Sequence, residues 1–180
     1  MKSVFNFIVK PYNKRYDNEI KVGNKSLIVN TKIDDFVNIS RKAIVVSTPL
    51  AYKTFINVGD EIIVHHNIFR RWYDIKGNER NSAKYFKDNL YFAQPDQVFL
   101  YKRNDKWIAP KGYCFVIPLK ATDQFNTKSE KPLQGIVKYS DGTVKVNDLI
   151  GFRPKSEYEF IVDGERLYRV LSNFITFYRS

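Results

Sequence analysis

The sequence predicts an all-β protein made of two small, similar domains. Short apolar runs repeatedly end at proline or at a glycine turn, as strands do. Aromatic residues make up 16% of the chain, and this class is enriched in sheets. A length of 180 residues suits one or two small domains. We find no convincing amphipathic helix, and the only helical candidate, Ser82 to Lys87, spans one or two turns at most.

The predicted strands of the first half each combine β-branched or aromatic residues with a turn signal after them. They are residues 5–10, 42–47, 61–65, 90–92 and 97–101. Two long polar stretches, residues 12–40 and 65–89, interrupt them. The strands of the second half are residues 113–117, 135–139, 149–152, 158–162, 167–170 and 174–178. Asp163-Gly164 is a strong hairpin signal between two of these.

The two halves match each other in order, which predicts an internal duplication. The matched segments are Phe7-Ile8-Val9 with Phe115-Val116-Ile117, Ala43-Ile44-Val45 with Gly135-Ile136-Val137, Val58-x-Asp60-x-Ile62 with Val146-x-Asp148-x-Ile150, and Leu90-Tyr91 plus Val98-x-x-Tyr101 with Leu167-Tyr168 plus Ile175-x-x-Tyr178. The offset falls from 108 to 92, 88 and 77 residues. The second unit is therefore interpreted as the first with three loops shortened. The alternative is that any two β-rich segments align this loosely.

We place the first domain at residues 1–108, with a loop at 12–40 and an insertion at 65–89, and the second at residues 109–180. Each unit contains five or six short predicted strands. A small closed barrel suits such a unit, because closure removes the exposed edges of a short sheet.

Several of these motifs resemble the GroES, or ten-kilodalton co-chaperonin, family. The resemblance rests on the first strand ending at Pro11, on the Gly-Asp turn and strand at residues 58–64 with its counterpart at 146–152, and on the late turn at Asp163-Gly164. The Asn- and Lys-rich, duplicated chain looks like a phage-encoded member. It departs from the family in having two units, in carrying Asn147 where glycine is usual, and in its insertion at 65–89. The fold class is thus all-β, with two tandem GroES-like small β-barrels.

The resemblance implies a co-chaperonin that does no chemistry and caps a GroEL-type chaperonin ring. In that family a mobile loop contacts the partner through an aliphatic tripeptide. By position and type, Leu27-Ile28-Val29 fits this role, and Gly23 would supply flexibility before it. A ring-like homo-oligomer would raise the avidity of these modest contacts. The alternative is that Leu27-Ile28-Val29 forms an ordinary short strand against the barrel.

A second segment of interest consists of Phe69, Arg70, Arg71, Trp72 and Tyr73. Burial of Trp72 and Tyr73 under the insertion is the plainest interpretation. Tryptophan and arginine are also frequent anchors of protein interfaces. Arginine beside exposed aromatics can bind single-stranded nucleic acid. The sequence leaves the three readings open.

The formal net charge is +11, with an isoelectric point near 9.6. Such a balance favours polyanionic partners, although the charges are spread along the chain and also serve solubility. A basic barrel that binds nucleic acid is therefore a second functional hypothesis. A phage virion or assembly component that reuses the fold as structure is a third.

Enzymatic activity is not expected, because the sequence holds neither a Gly-x-Ser-x-Gly nucleophile motif nor a glycine-rich phosphate loop. Asp60 and Asp148 are interpreted as turn residues. His65 and His66 would face opposite sides of a strand, so no metal site or cofactor is predicted. Cys114 is read as a small buried hydrophobe.

The chain is expected in the cytoplasm, that of the host if it is phage-encoded. Its N-terminus lacks an apolar signal segment, and no apolar run is long enough to span a bilayer. A single cysteine cannot form an internal disulfide, which fits a reducing compartment. No membrane partner is predicted.

Overall fold

The structure is a computed structural model that describes residues 2–16, 19–28, 38–120 and 130–180. Of these, 54% lie in strands and 6% in helices, so the predicted all-β class is confirmed. The helices of the described residues are three short 3-10 turns, and none has the length and apolar character that crossing a membrane requires. The chain divides into two compact units, Met1–Lys102 and Arg103–Ser180.

The strands that begin in the first unit are short and antiparallel to their partners. They are β1 (Phe7–Pro11), β2 (Glu19–Val22), β3 (Lys25–Ile28), β4 (Lys42–Ser47), β5 (Glu61–Val64), β6 (Arg71–Tyr73), β7 (Glu79–Asn81), β8 (Tyr85–Lys87), β9 (Leu90–Ala93) and β10 (Val98–Arg103). Two 3-10 turns, His66–Ile68 and Pro95–Gln97, interrupt them. The second of these turns joins β9 to β10.

The second unit contains seven strands, of which the second and third are the two longest among the described residues. Its strands are β11 (Lys106–Ile108), β12 (Tyr113–Lys120), β13 (Glu130–Ser140), β14 (Leu149–Phe152), β15 (Glu157–Val162), β16 (Glu165–Leu171) and β17 (Ile175–Arg179). A 3-10 turn at Ser172–Phe174 joins β16 to β17, as Pro95–Gln97 joins β9 to β10.

The two units share one sheet topology. Six consecutive strands of the seven-stranded first sheet follow the order β10-β5-β4-β1-β9-β8, and the six strands of the second sheet follow the order β17-β14-β13-β12-β16-β15. Every pairing is antiparallel in both. By their place in these two orders, β1 is equivalent to β12, β4 to β13, β5 to β14, β9 to β16 and β10 to β17. The duplication predicted from the sequence is therefore present in the sheet topology.

The hydrogen-bond register of the two units also agrees, but it corrects the first match by one residue. Val9 pairs with Val45 and Tyr91, just as Val116 pairs with Val137 and Tyr168. Residues 7–9 therefore correspond to residues 114–116, at an offset of 107, and not to residues 115–117. Both runs are apolar throughout, so the side chains alone fit either alignment. The partner strands decide the register, and a bulge precedes both valines.

The Gly-Asp turn is built in the same way in both units. The Gly59 and Asn147 amides donate to the carbonyls of Val45 and Val137, each at 2.8 Å. Asp60 Oδ2 accepts from the Asn57 amide, and Asp148 Oδ2 from the Lys145 amide. This geometry supports the reading of both aspartates as turn residues.

Asn147 replaces glycine at a left-handed position of this turn, with a φ of 72° against 91° at Gly59. Asparagine adopts this region more readily than alanine, for which it costs roughly 1–2 kcal/mol. We therefore expect Asn147→Ala to lower the free energy of unfolding by about 1 kcal/mol or more, and Asn147→Gly to be close to neutral. Urea unfolding measures both, with Val146→Ala as the exposed neighbouring control. Equal stability of the alanine and glycine variants would contradict this account.

Neither sheet closes on itself among the described residues. In the described residues of each sheet, the strand at one end is not paired with the strand at the other end. The antiparallel sheets are thus present, while the closed barrels expected from the sequence are not found. The equivalent strands β10 and β17 differ in exposure: Leu100 and Tyr101 of β10 are buried, whereas Phe177 and Tyr178 of β17, an end strand of its sheet, are 47% and 67% exposed.

The core of the second unit contains Cys114 packed with five other fully buried or nearly buried residues. They are Val116, Val137, Ile150, Phe152 and Val170. Burial raises the pKa of the Cys114 thiol to about 12, so the side chain is an uncharged, apolar member of the core. This placement agrees with the interpretation of the sequence.

The helical candidate at Ser82 to Lys87 is wrong. Tyr85–Lys87 forms strand β8, in which Tyr85 pairs with Tyr91 and Lys87 with Leu90. Asp88 and Asn89 both have positive φ and make the tight turn back into β9. Aromatic side chains at 85 and 86 favour the strand once this partner is available.

Candidate partner-binding surface of the first unit

A two-stranded hairpin occupies the loop that separates β1 from β4. Strand β2 pairs with β3 from Glu19 opposite Ile28 to Val22 opposite Lys25. Gly23, with a φ of 61°, starts the two-residue turn between them, which is a position where hairpins favour glycine. Within the described part of the chain, β2 and β3 pair only with each other.

The predicted aliphatic tripeptide lies at the end of this hairpin. Leu27 and Ile28 belong to β3, where they pair with Ile20 and Glu19. Val29 lies outside the described residues. The backbone of Leu27 and Ile28 is therefore a strand, as one of the two readings of the sequence had it, but this strand belongs to a separate hairpin and not to the main sheet of the unit.

The base of the hairpin is held by buried residues. Tyr16 forms a β-bridge with Ile39, and the two side chains are 7% and 5% exposed. The Ser40 amide donates to the Arg15 carbonyl at 2.9 Å. The chain therefore leaves and re-enters the unit at one fixed place.

The second insertion braces this base. The Arg15 guanidinium donates from Nε and Nη2 to the Phe69 carbonyl, at 3.1 and 2.9 Å, and from Nη1 to Asn81 Oδ1 at 2.8 Å. The Arg71 amide donates to the Tyr16 hydroxyl at 2.9 Å, and its guanidinium lies 4.2 Å from the centroid of the Tyr16 ring. These contacts join the stretch at 12–40 to the stretch at 65–89, although the two are separate interruptions in the sequence.

Strands β6 and β7 form a hairpin in which Trp72 pairs with Arg80 and Arg71 with Asn81. Its connecting loop is organised by Asp74, whose Oδ1 accepts from the amides of Lys76 and Asn78, both at 2.9 Å. Asp74 also makes an ion pair with Arg80 at 3.0 Å. The Asn78 amide hydrogen bond, followed by the side-chain bonds from Asn78 and Arg80, lowers the pKa of this carboxyl against the opposing effect of desolvation. The loop is therefore fixed by a charged acceptor.

The five residues at 69–73 have different environments. Phe69 is fully buried, with its ring edge-on to Tyr91 at 5.0 Å. Trp72 is 52% exposed, so the plain expectation of its burial is wrong. Tyr73 and Arg71 are half-buried, and Arg70 is exposed. Phe69 precedes the strand in a turn, and β6 is a short hairpin strand outside the main sheet, which leaves the indole beside solvent.

An open cleft of about 480 Å³ lies beside Trp72. We call it the Trp72 cleft, and the side chains that line it include Asn67, Arg70, Trp72, Ser82, Lys84 and Gln97. Its volume falls within the range of roughly 300–1,000 Å³ that is common for small-molecule sites. The lining combines one aromatic ring, two cations and several neutral hydrogen-bonding groups.

The hydrogen bonds around the cleft hold its lining in place. Trp72 Nε1 donates to the Asn81 carbonyl at 3.1 Å. Ser82 Oγ donates to the Ile68 carbonyl at 2.7 Å and accepts from the Lys84 amide at 3.2 Å. Lys84 Nζ donates to Gln94 Oε1 at 3.1 Å. Two acids of the β6–β7 hairpin, Asp74 and Glu79, pair with Arg80 and Arg71, and the described residues that line the cleft include no carboxylate.

The histidine pair does not have the expected geometry. The strand ends at Val64, and His65 caps the following 3-10 turn, with its Nδ1 accepting from the Asn67 amide at 3.1 Å. The rings of His65 and His66 therefore stack at 4.3 Å and do not face opposite sides. Among the described residues, no group of three or more His, Cys, Asp or Glu side chains could hold a metal ion.

Sequence reasoning missed the residues that organise this surface. In the sequence Arg15 is only one of two adjacent basic residues, and nothing beside it indicates a hydrogen bond to a carbonyl 54 residues later. Tyr16 carried no pattern at all. The exposure of Trp72 beside Arg70 was one of the alternatives that the sequence left open.

Comparison with known proteins adds no relative. No protein-family model matches the chain, and no curated protein matches it significantly. The residues and their geometry are therefore what indicates the function.

Proposed function

We propose that the protein is a co-chaperonin-like, non-catalytic binding module that caps a GroEL-type chaperonin ring and assists protein folding, in the cytoplasm of the cell or of a phage host. The observation that carries this proposal is the β2–β3 hairpin, which stands apart from the main sheet on a braced base and holds Leu27 and Ile28 in its second strand. The repeated topology supports two GroES-like units, each proposed to close as a small barrel in the assembled protein.

The hairpin suits reversible binding of a larger partner. A loop that orders only on binding loses conformational entropy, so its affinity per contact stays modest. A preformed hairpin reduces this cost, because its backbone is already ordered before the partner arrives. The bridge between Tyr16 and Ile39 would fix the place at which the loop that carries the aliphatic residues leaves and re-enters the unit. Several copies in one assembly would convert such contacts into high avidity.

Self-association is proposed to use strand β17. It lies at one end of the sheet of the second unit, and Phe177 and Tyr178 are largely exposed on it. The matching residues of β10, Leu100 and Tyr101, are buried. An exposed aromatic edge strand is a template for pairing with another chain. A second copy of this protein is the occupant that a ring-like homo-oligomer requires.

The test is capture of the purified chain by a bacterial chaperonin ring, with and without ATP. The variant replaces Leu27, Ile28 and Val29 with serine. We expect ATP-dependent capture of the wild type and its loss in this variant, with the fold retained in circular dichroism. The matched control replaces three exposed aliphatic residues elsewhere, Val58, Val146 and Ile161, with serine and should be captured like the wild type.

The mass in solution is the second measurement, since the proposal requires an assembly heavier than the 21.2 kDa of one chain. Light scattering on the eluted protein gives this mass directly. Absence of capture by the ring from a folded wild-type protein would refute the co-chaperonin proposal. Equal loss of capture in the triple variant and in its control would refute the assignment of the contact to the hairpin.

A further inference from the structure

The Trp72 cleft combines three features that the proposed chaperonin contact does not use. It holds a large aromatic side chain that is half exposed, two cationic side chains and a set of neutral amides and hydroxyls. We propose that this cleft is a second binding site, for single-stranded nucleic acid, in which a base stacks on Trp72 while Arg70 and Lys84 hold its phosphates.

Trp72 is placed to stack on a ligand. Its indole Nε1 is fixed to the Asn81 carbonyl, so the ring is held at one edge while half of its surface remains exposed. A ring that is already oriented loses little conformational entropy when a base stacks on it. Base–aromatic stacking tolerates any base, because every base has a π-face.

The charges around the cleft favour an anion. Arg70 and Lys84 both line it, and its lining within the described part of the chain includes no carboxylate. The two acids of the neighbouring hairpin, Asp74 and Glu79, are paired with Arg80 and Arg71 at 3.0 and 3.2 Å. A phosphate in the cleft would therefore meet cations without a competing acid of this hairpin. The net charge of +11 would add a long-range attraction.

The surface continues beyond the cleft with the same composition. Strand β8, which follows Lys84, carries Tyr85, Phe86 and Lys87, and all three are exposed. Lys87 Nζ lies 5.8 Å from the centroid of the Phe86 ring. Exposed aromatic rings together with cations are the two residue types that proteins combine to bind a single strand.

The lining argues for nucleic acid over an acidic peptide. An acidic peptide would be attracted by Arg70 and Lys84 but would have no use for an exposed indole. The amide groups of Asn67 and Gln97 can donate to and accept from the edges of a base. A cleft of about 480 Å³ takes one or two nucleotides, whereas a duplex keeps its bases stacked and inaccessible.

This proposal does not rest on the co-chaperonin proposal, and the experiment separates the two. The full chain is used in a Trp107→Phe background, which leaves Trp72 as the sole tryptophan of the two in the sequence. The probe is a single-stranded thymidine 15-mer, followed by quenching of Trp72 fluorescence and by anisotropy of the labelled oligonucleotide. Titrations are repeated over a range of salt concentrations.

We expect quenching of Trp72 and an affinity that falls steeply with salt. An Arg70→Ala/Lys84→Ala variant should bind at least tenfold more weakly. In a plot of the logarithm of the binding constant against the logarithm of the salt concentration, its slope should be shallower by about 1.4, since each phosphate contact on a single strand contributes about 0.7. A Trp72→Ala variant, followed by anisotropy, should bind roughly 5- to 150-fold more weakly. A Lys111→Ala/Lys145→Ala variant removes the same charge from exposed positions of the second unit and should bind like the parent.

Three results would overturn the inference. The first is absence of binding to the oligonucleotide at low salt. The second is equal weakening by the cleft variant and by the Lys111→Ala/Lys145→Ala control, which would reduce the effect to net charge. The third is equal quenching of Trp72 by polyglutamate of matched charge, which would indicate an acidic protein partner. Chaperonin capture by the cleft variants is measured alongside, so failure of one proposal is distinguishable from failure of the other.

Discussion

Replacing Phe69 with alanine should destabilise the protein by about 3–5 kcal/mol, the usual cost of truncating a fully buried phenylalanine. The Phe69 side chain is 0% exposed, and its ring packs edge-on against Tyr91 with centroids 5.0 Å apart. Tyr91 is itself buried and pairs with Val9 of the first strand. The cavity left by the ring would therefore lie against the central strands of the unit. Urea unfolding followed by circular dichroism measures the loss.

Trp72→Ala provides the contrast within the same segment. Trp72 is larger than Phe69, but it is 52% exposed and belongs to a hairpin outside the main sheet. We expect it to change the free energy of unfolding by less than about 1 kcal/mol, as exposed substitutions usually do. A loss at Trp72 as large as the loss at Phe69 would show that the indole is part of the core. The interpretation of the Trp72 cleft would then fail as well.

Much of the main sheet could be predicted because its strands are encoded locally. Residues 42–47 and 149–152 were predicted with the bounds that the structure has, since β-branched and aromatic runs end there at turn residues. The internal repeat could also be recognised in the sequence, because equivalent positions of the two units require similar side chains for packing. The shared Gly-Asp turn was its clearest sign, and both copies hold the same hydrogen bonds.

The one-residue error in the first strand shows where local information ends. Residues 7–9 are apolar in sequence and buried together, so they lack the alternation that marks which side chain faces inward. Register then depends on hydrogen bonds to strands far along the chain, such as Val9 with Val45 and Tyr91. A bulge beside Val9 adds a residue that no side-chain pattern announces.

The candidate site was harder to predict than the sheet, because it too depends on contacts between residues that are far apart in the sequence. Gly23 was recognisable as a turn, and Leu27 and Ile28 as an apolar island. The strands around them, β2, β6 and β7, are rich in charged and polar residues and resemble loops in the sequence. Their hairpins can be recognised only from the contacts between the two insertions. Among the described residues, the Arg15 side chain makes three of these hydrogen bonds, two to the Phe69 carbonyl and one to Asn81.

Arg15 is therefore the second residue with a large expected effect. Its guanidinium makes two hydrogen bonds to the Phe69 carbonyl and one to Asn81 Oδ1, and its carbonyl accepts from the Ser40 amide. Arg15→Ala would leave the part-buried Phe69 carbonyl without these charged donors, which costs about 2–3 kcal/mol. Arg15→Lys keeps the charge but cannot reproduce the planar, forked contact, so it should recover only part of this stability.

Hydrogen exchange would show where the stability is lost. In Arg15→Ala we expect faster exchange at the amides of Ser40 and Arg71, because the first pairs with residue 15 and the second donates to Tyr16 across the same junction. The exposed neighbour Lys14 serves as the control, and Lys14→Ala should leave both amides protected. Unchanged exchange in Arg15→Ala would mean that the Tyr16–Ile39 bridge and the Arg71–Tyr16 contacts hold the base of the hairpin without the Arg15 side chain. The assignment of Arg15 as the main link between the two insertions would then be refuted.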